Sequence, residues 1–288
     1  VKRRDFILGT AALGLFTKNA LAGASPTEHL QSAEQALSAR IGLYAQNLAT
    51  GQSVQHRADE RFALCSTFKA SLSALCLQRA DQGQLDLQER LTFQASDLLP
   101  TSPITKSQAS TGAMTVKSLC QAIVEYSDNT AANLLLTHVG GPAAVTQFFR
   151  DIGDNTSRLD RMEMALNANI PGDERDTTTP RAMAENLRQL ILEPNRLSKP
   201  SRGLLVQWMR NEQNAKNRIR AAVPTSWTVA NKPGTSFEGA ANDIAVLWSP
   251  AGDPFLVTIY IDTRKKEKTR TAVTAIKDIA DLALKAVL

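Results

Sequence analysis

Apolar positions divide the chain into a strand-rich start, a long helical middle and a strand-rich end. Residues 28–40 read as an amphipathic helix, with Leu30, Ala33, Ala36 and Leu37 on one face. Residues 41–48 and 53–61 alternate as two strands about the turn Ala49-Thr50-Gly51-Gln52. Between about residues 66 and 215 the apolar period is helical, through Leu72, Leu75, Cys76 and Leu77, then Leu119, Ile123 and Val124, then 131–136. Gly140-Gly141-Pro142 interrupts it. Residues 227–230, 243–248 and 256–261 are β-rich again, and an amphipathic helix closes the chain over 271–288. This order predicts a discontinuous α/β lobe, residues 23–65 and 210–288, holding an inserted all-α lobe over 66–209. The cleft between two such lobes is a natural ligand site.

The first 22 residues follow a different rule. Lys2-Arg3-Arg4-Asp5-Phe6-Ile7 precedes a short apolar run from Leu8 to Phe16, ending at Ala20-Leu21-Ala22. A charged start, a brief apolar core and a small-x-small ending describe an export signal, and the run is too short to span a bilayer. The Arg-Arg pair before Phe points to the twin-arginine route and a periplasmic destination, with no stable membrane anchor once the signal is removed.

That segment also explains the charge. The 288 residues carry 33 Lys+Arg against 28 Asp+Glu, a formal +5, and Lys2, Arg3, Arg4 and Lys18 against Asp5 account for three of those units. The most basic later stretch, Arg264-Lys265-Lys266-Glu267-Lys268-Thr269-Arg270, has no interleaved aromatics and reads as a solvated face. A nucleic-acid partner is therefore not expected. With 43% hydrophobic residues, 15 Gly and 12 Pro, the chain is an ordinary globular mixture, neither disordered nor collagen-like. His29, His56 and His138 are isolated and show no metal-ligand spacing, so no metal and no cofactor is expected.

Three short motifs carry candidate chemistry. Ser66-Thr67-Phe68-Lys69 opens a helix after a strand, so Lys69, three residues on, shares a face with Ser66 and can approach its hydroxyl. Ser127-Asp128-Asn129 follows the helix over 116–126, and Lys232-Pro233-Gly234-Thr235 lies near the end of a late strand that its proline confines to a sheet edge. Singly, these are an N-cap serine with a surface lysine, a turn and a strand terminus. In this order and context they resemble the active-site serine penicillin-recognising enzymes.

A fourth segment narrows the resemblance. Residues 158–180, from Arg158-Leu159-Asp160-Arg161-Met162-Glu163 through Asn167 to Asp176-Thr177-Thr178-Thr179-Pro180, look like the omega loop of class A serine β-lactamases. The likeness extends over residues 25–288 and implies an antiparallel sheet flanked by helices with an inserted helical lobe. It also implies a monomer that hydrolyses the β-lactam amide of penicillins or cephalosporins, and of carbapenems in some members, conferring resistance. Ser66 would attack, with the Ser66 and Thr235 N–H groups as oxyanion hole. Lys69, or Glu163 through a water, would take the serine proton. Ser127 would relay a proton to the ring nitrogen, and Lys232 would hold positive potential beside it. Asn129 would bind the substrate amide, Glu163 and Asn167 would position the deacylating water, and Arg161 with Asp176 would clamp the loop. A D-alanyl-D-alanine carboxypeptidase or a penicillin-binding module that does not turn over shares the first three motifs but not the Glu163 loop.

Several positions depart from the family pattern. Pro233 replaces the hydroxyl residue of the usual K-T-G, which leaves Thr235 to supply an oxygen to the substrate carboxylate. The basic residue expected near Ala241 is missing, and Arg218 aligns where other members carry a carboxylate-binding arginine. Ser236 is a further substrate-binding candidate. Met164 stands for a common proline, and Thr101 for an aromatic. Cys65 adjoins the nucleophile as in some carbapenemases, but its usual partner position holds Ser236 or Phe237. Cys120 matches half of another family disulfide while Cys76 sits one turn past the other half, so a Cys76–Cys120 bond and two buried thiols stand as alternatives.

Overall fold

The computed structural model describes residues 25–288, so the expected export signal lies outside the described residues. Helix α1 (Pro26–Leu37) begins two residues earlier than its apolar period suggests. Ser25 closes a capping box with Glu28, and Pro26 occupies the first turn. Strands β1 (Arg40–Asn47) and β2 (Ser53–His56) form a hairpin, and β2 stops five residues short of its predicted end. Then come β3 (Phe62–Ala63), a 3-10 turn over Cys65–Thr67 and α2 (Phe68–Asp81).

The helical middle continues with β4 (Arg90–Thr92), α3 (Pro103–Ser107), β5 (Ala113–Thr115), α4 (Val116–Glu125), α5 (Asn129–Val139) and α6 (Pro142–Asp151). After the 158–180 loop, which holds β6 (Thr177–Thr178), follow α7 (Pro180–Leu187), α8 (Lys199–Arg210) and α9 (Ile219–Ala222). The chain ends with β7 (Thr228–Thr235), β8 (Ala240–Trp248), β9 (Pro254–Asp262) and α10 (Thr269–Val287).

The main sheet is antiparallel in the order β2-β1-β9-β8-β7. Both faces of β8 and β9 are covered, which explains why most of their residues are apolar. Ala245, Leu247, Val257 and Ile259 face α1 and α10, while Ile244, Val246, Leu256 and Tyr260 join the core of the helical lobe. Pro233 lies in β7, the edge strand, where a missing N–H is tolerated.

Helix α7, inside the segment expected to be helical lobe, packs on β1, β8 and β9, and one apolar core runs from the helices into the sheet. Gly42 of β1 makes that approach possible, because a Cβ there would stand 2.5 Å from Phe62 Cε2 and 2.7 Å from Pro180 Cγ. Helix α2 is buried on all sides from Phe68 to Leu77, as a helix at the centre of a bundle must be.

Candidate active site

Ser66 sits on the 3-10 turn that feeds α2, with the Thr67 hydroxyl donating to Leu64 O at 2.6 Å to fix the turn. The edge strand β7 comes unusually close here. A Cβ on Gly234 would lie 3.0 Å from Cys65 Cβ and 3.2 Å from the Ser66 nitrogen, so only glycine lets the strand end beside the nucleophile. Lys69 follows in the first turn of α2, fully buried, its Nζ 3.1 Å from Ser66 Oγ.

Four more oxygens surround that ammonium. Lys69 Nζ donates to Asn129 Oδ1 at 2.6 Å, to Ser127 O at 2.9 Å and to Ser127 Oγ at 3.4 Å, and lies 2.8 Å from Glu163 Oε1. Burial pushes the Lys69 pKa below the ordinary lysine value, and the Glu163 carboxylate opposes that shift. Ser127 adopts φ 59°, the left-handed region, and so turns its hydroxyl and carbonyl to the same lysine.

Asp128, between Ser127 and Asn129, has a structural task that the motif alone did not reveal. Fully buried, it caps α5 through Ala131 N at 2.9 Å and accepts Ile104 N and Thr105 N, each at 2.9 Å, tying α5 to α3. Asn129 Nδ2 donates to Pro100 O at 2.9 Å, which holds the 100–102 segment against the cleft.

The 158–180 loop brings Glu163 to Lys69. Asn133, one helical turn beyond Asn129 on α5, brackets the Glu163 backbone: its Oδ1 accepts Glu163 N and its Nδ2 donates to Glu163 O, both at 2.9 Å. The sequence reading missed this residue, although its i,i+4 relation to Asn129 was the available signal. Asn167 Nδ2 donates to Glu163 Oε2 at 2.6 Å, and Asn167 Oδ1 is buried without a protein partner.

At the neck of the loop, Arg161 Nε meets Asp176 Oδ2 at 2.5 Å. The other Asp176 oxygen accepts Asp160 N and Arg161 N at 2.7 and 2.9 Å. Asp176 is fully buried, so this is not a solvated surface pair.

Lys232 of β7 is also fully buried. Its Nζ donates to Pro233 O at 3.4 Å, and burial lowers its pKa to about 7 against the pull of the Glu212 and Asp243 carboxylates. Asp243 is itself pushed up to about 7 by burial. Thr235 is exposed at the end of the strand.

Two of the substrate-binding candidates have their side chains engaged within the protein. Arg218 does not present its guanidinium to the cleft: it is 5% exposed and donates to Gly234 O, Asn242 O and Thr235 Oγ1 at 2.8, 2.6 and 2.6 Å. It reaches the cleft only through the Thr235 hydroxyl. Ser236 is 1% exposed, and its hydroxyl donates to Asn167 O at 2.6 Å while accepting Glu238 N at 2.9 Å, so it straps the loop to β7 and has no hydrogen left for a substrate.

The cysteines resolve to the alternative of buried thiols: Cys65, Cys76 and Cys120 are all free. Cys120 lies beside Cys76, and burial raises its pKa well above the usual thiol value. Cys65 is pushed up to about 12 by burial, which keeps it neutral next to Ser66.

Ser66, Ser127, Asn129, Asn167, Pro233, Gly234 and Thr235 line a cavity of about 190 Å³, with Thr101, Met164, Asn214 and Phe237 at its walls. A larger hollow of about 580 Å³ lies over α5 and β4 and contains no paired nucleophile and base. Among the described residues no helix is long and apolar enough to cross a membrane.

Comparison with known proteins shows the family. The model of the Beta-lactamase enzyme family matches residues 25–287. A β-lactamase of Mycobacterium tuberculosis (strain H37Rv) is 45% identical over 245 residues, 84% of this chain and 78% of that one. A carbapenem-hydrolysing β-lactamase of Klebsiella oxytoca is 45% identical over 244 residues, 84% of this chain and 83% of its own. The solved structure of a reconstructed class A β-lactamase, the last common ancestor of Gram-negative bacteria, superposes with a TM-score of 0.86 at 46% identity, covering 91% of this chain and 99% of that one. With a matching sequence family, a matching fold and a serine, two lysines and a loop glutamate around one cleft, the chain belongs to the β-lactamase enzyme family and is a class A serine β-lactamase.

Proposed function

We propose that Ser66 is the acylated nucleophile and Glu163 the base that activates water to release the acyl group. The observation that carries this reading is Lys69 Nζ, 3.1 Å from Ser66 Oγ and 2.8 Å from Glu163 Oε1, which links the two in one buried network. Lys69 as the neutral amine, or Glu163 acting through a water, takes the Ser66 proton as Oγ adds to the lactam carbonyl, and Ser127 passes a proton to the ring nitrogen as the C–N bond breaks. The N–H groups of Ser66 and Thr235 donate to the carbonyl oxygen as it becomes negative, an effect worth about 3 kcal/mol per donor.

Deacylation separates a hydrolase from a penicillin-binding protein. Glu163 Oε2 is held by Asn167, whose Oδ1 supplies a further acceptor for water. Glu163 takes the water proton as the hydroxyl adds to the ester, and the proton then passes to Ser66 Oγ as the ester breaks. Lys232, with Thr235 backed by Arg218, provides the positive end of the cleft for the substrate carboxylate. Asn129 takes the substrate side-chain amide, and the Arg161–Asp176 pair holds the loop.

The whole is read as two lobes, 23–65 with 210–288 and 66–209, with the cleft between them. The 1–22 segment is read as a twin-arginine export signal that delivers a monomer to the periplasm. Carbapenem turnover belongs to this proposal as well, supported by the similarity to a relative named for it. The test is steady-state hydrolysis of a chromogenic cephalosporin and a carbapenem by purified residues 25–288 beside the Ser66→Ala protein. Turnover that disappears in the variant is expected, and equal turnover by both would overturn the assignment of Ser66.

A further inference from the structure

The Arg161–Asp176 pair, the Asn133 bracket on Glu163 and the Ser236 hydroxyl on Asn167 O hold the 158–180 loop at its neck and on its catalytic side. The stretch beyond Asn167 has a different anchor. Asn169 Nδ2 donates to Asp262 Oδ1 at 2.7 Å and to Glu238 O at 3.3 Å, while the next three residues, Ile170, Pro171 and Gly172, are exposed. An amide that donates to a carboxylate makes a charge-assisted hydrogen bond, shorter and stronger than a neutral one.

Asp262 is the last residue of β9, is buried, and has no part in the chemistry proposed above. Its remaining contacts are with the body of the protein. Oδ1 also accepts Arg264 N at 3.0 Å, and Oδ2 accepts Arg264 Nε at 3.3 Å and Arg40 Nη1 at 3.5 Å. Arg40 opens β1 directly across the sheet from Asp262, and its Nη2 donates to Glu60 at 2.7 Å. Glu60 accepts Arg57 at 2.9 Å, and Arg57 donates to Glu34 of α1 at 2.7 Å. The carboxylate that meets the loop is thus fixed from behind by a chain of ion pairs reaching α1. On the loop side only Ala168 separates Asn169 from Asn167, whose Nδ2 donates to Glu163 Oε2. A shift at Asn169 therefore reaches, through about 7 Å of backbone, the amide that orients the catalytic carboxylate.

We propose that Asp262 is a positioning residue for deacylation, acting through Asn169 to hold the far limb of the loop and with it Asn167 and Glu163. This rests on the reading of Glu163 as the base that releases the acyl group. Ser66 and Lys69 are carried by α2 and the turn before it, so acylation depends far less on this anchor.

The test measures acylation and deacylation separately, by stopped flow with a chromogenic cephalosporin, in the unaltered protein and in Asn169→Ala, Asn169→Asp and Asp262→Ala variants. Asn169→Ala removes the donor and leaves Asp262 with both arginines, whereas Asn169→Asp sets a second carboxylate against the first. A displacement near 1 Å costs about a hundredfold, and the neck and Asn133 confine the movement to part of that, so Asn169→Asp is expected to slow deacylation about tenfold and Asn169→Ala less. Acylation should stay within about twofold of its unaltered rate. Where deacylation limits turnover, kcat and KM then fall together while kcat/KM holds, a pattern that mere loss of folded protein does not produce. Asp262→Ala should slow deacylation, and combining it with Asn169→Ala should add little, as for two halves of one contact. In a Glu163→Ala background Asn169→Asp should change nothing further. Deacylation unaffected by Asn169→Asp, acylation slowed as much as deacylation, or the same slowing without Glu163 would overturn the role of Asp262. Turnover by Glu163→Ala as fast as that of the unaltered protein would instead overturn the reading of Glu163 beneath it.

Discussion

Asp176→Asn probes how the loop holds the catalytic carboxylate. The substitution keeps the side chain's size and removes its charge. Asp176 is fully buried and accepts three N–H groups, two from the main chain at 2.7 and 2.9 Å and one from Arg161 Nε at 2.5 Å. An amide has one oxygen, which can keep the two main-chain donors, so its NH₂ is turned against the Arg161 N–H. The loss is then about one charge-assisted hydrogen bond, roughly 1.5–3 kcal/mol. It falls short of the 3–5 kcal/mol or so of a fully buried orphan charge. The Arg161 side chain is 19% exposed and retains Asp173 at 3.7 Å, which is why the smaller figure applies.

A loss of about 2 kcal/mol lowers Tm by roughly 4–8 °C in a chain of this size. Function should suffer more selectively. Ser66 and Lys69 stay on α2, whereas Glu163 rides on the loosened loop, and a displacement near 1 Å costs about a hundredfold. Stopped-flow turnover of a chromogenic cephalosporin should show a burst followed by a slow steady state, with the acyl adduct visible by intact mass. If Tm falls while the deacylation rate is unchanged, the ion pair stabilises the protein without positioning Glu163, and the reasoning fails.

Three further outcomes follow from the burial of charged and thiol groups. Lys232, held near 7, loses its proton as pH rises through that value, so KM should climb and kcat/KM fall on the alkaline side. Lys232→Arg should move that limb upward, and a KM flat to about pH 9 would contradict the assignment. The linked stability has the opposite sense: the folded state binds fewer protons than the unfolded one between about 7 and the lysine value of 10.5, so this site raises stability across that window. Three thiols should label in the denatured, unreduced chain and none in the native chain over the same interval; a single label on denaturation would reveal a Cys76–Cys120 bond.

Much of this was legible in the sequence where chemistry and period coincide. Ser66 and Lys69 are three residues apart on one turn, so local geometry fixes their contact, and the proline in β7 marked an edge strand. The partners of Glu163 were harder to read, because Asn133 acts through the main chain of a loop thirty residues away. The hydrogen-bond partners of Arg218 and Ser236 were hard to read for a related reason. Alignment finds their positions beside the cleft, but only packing shows that their donors are already taken by Gly234, Asn242, Thr235 and Asn167. The packing of helix α7 on the sheet left no local signal, since Pro180 at its start meets Gly42, more than a hundred residues earlier.

The central claim is that Glu163 drives deacylation from a Ser66 ester. Intact-mass spectrometry of the Glu163→Ala protein after mixing with a penicillin measures it directly. A persistent adduct of one penicillin on the peptide containing Ser66 is the predicted result; turnover as fast as that of the unaltered protein, with no adduct, would contradict it.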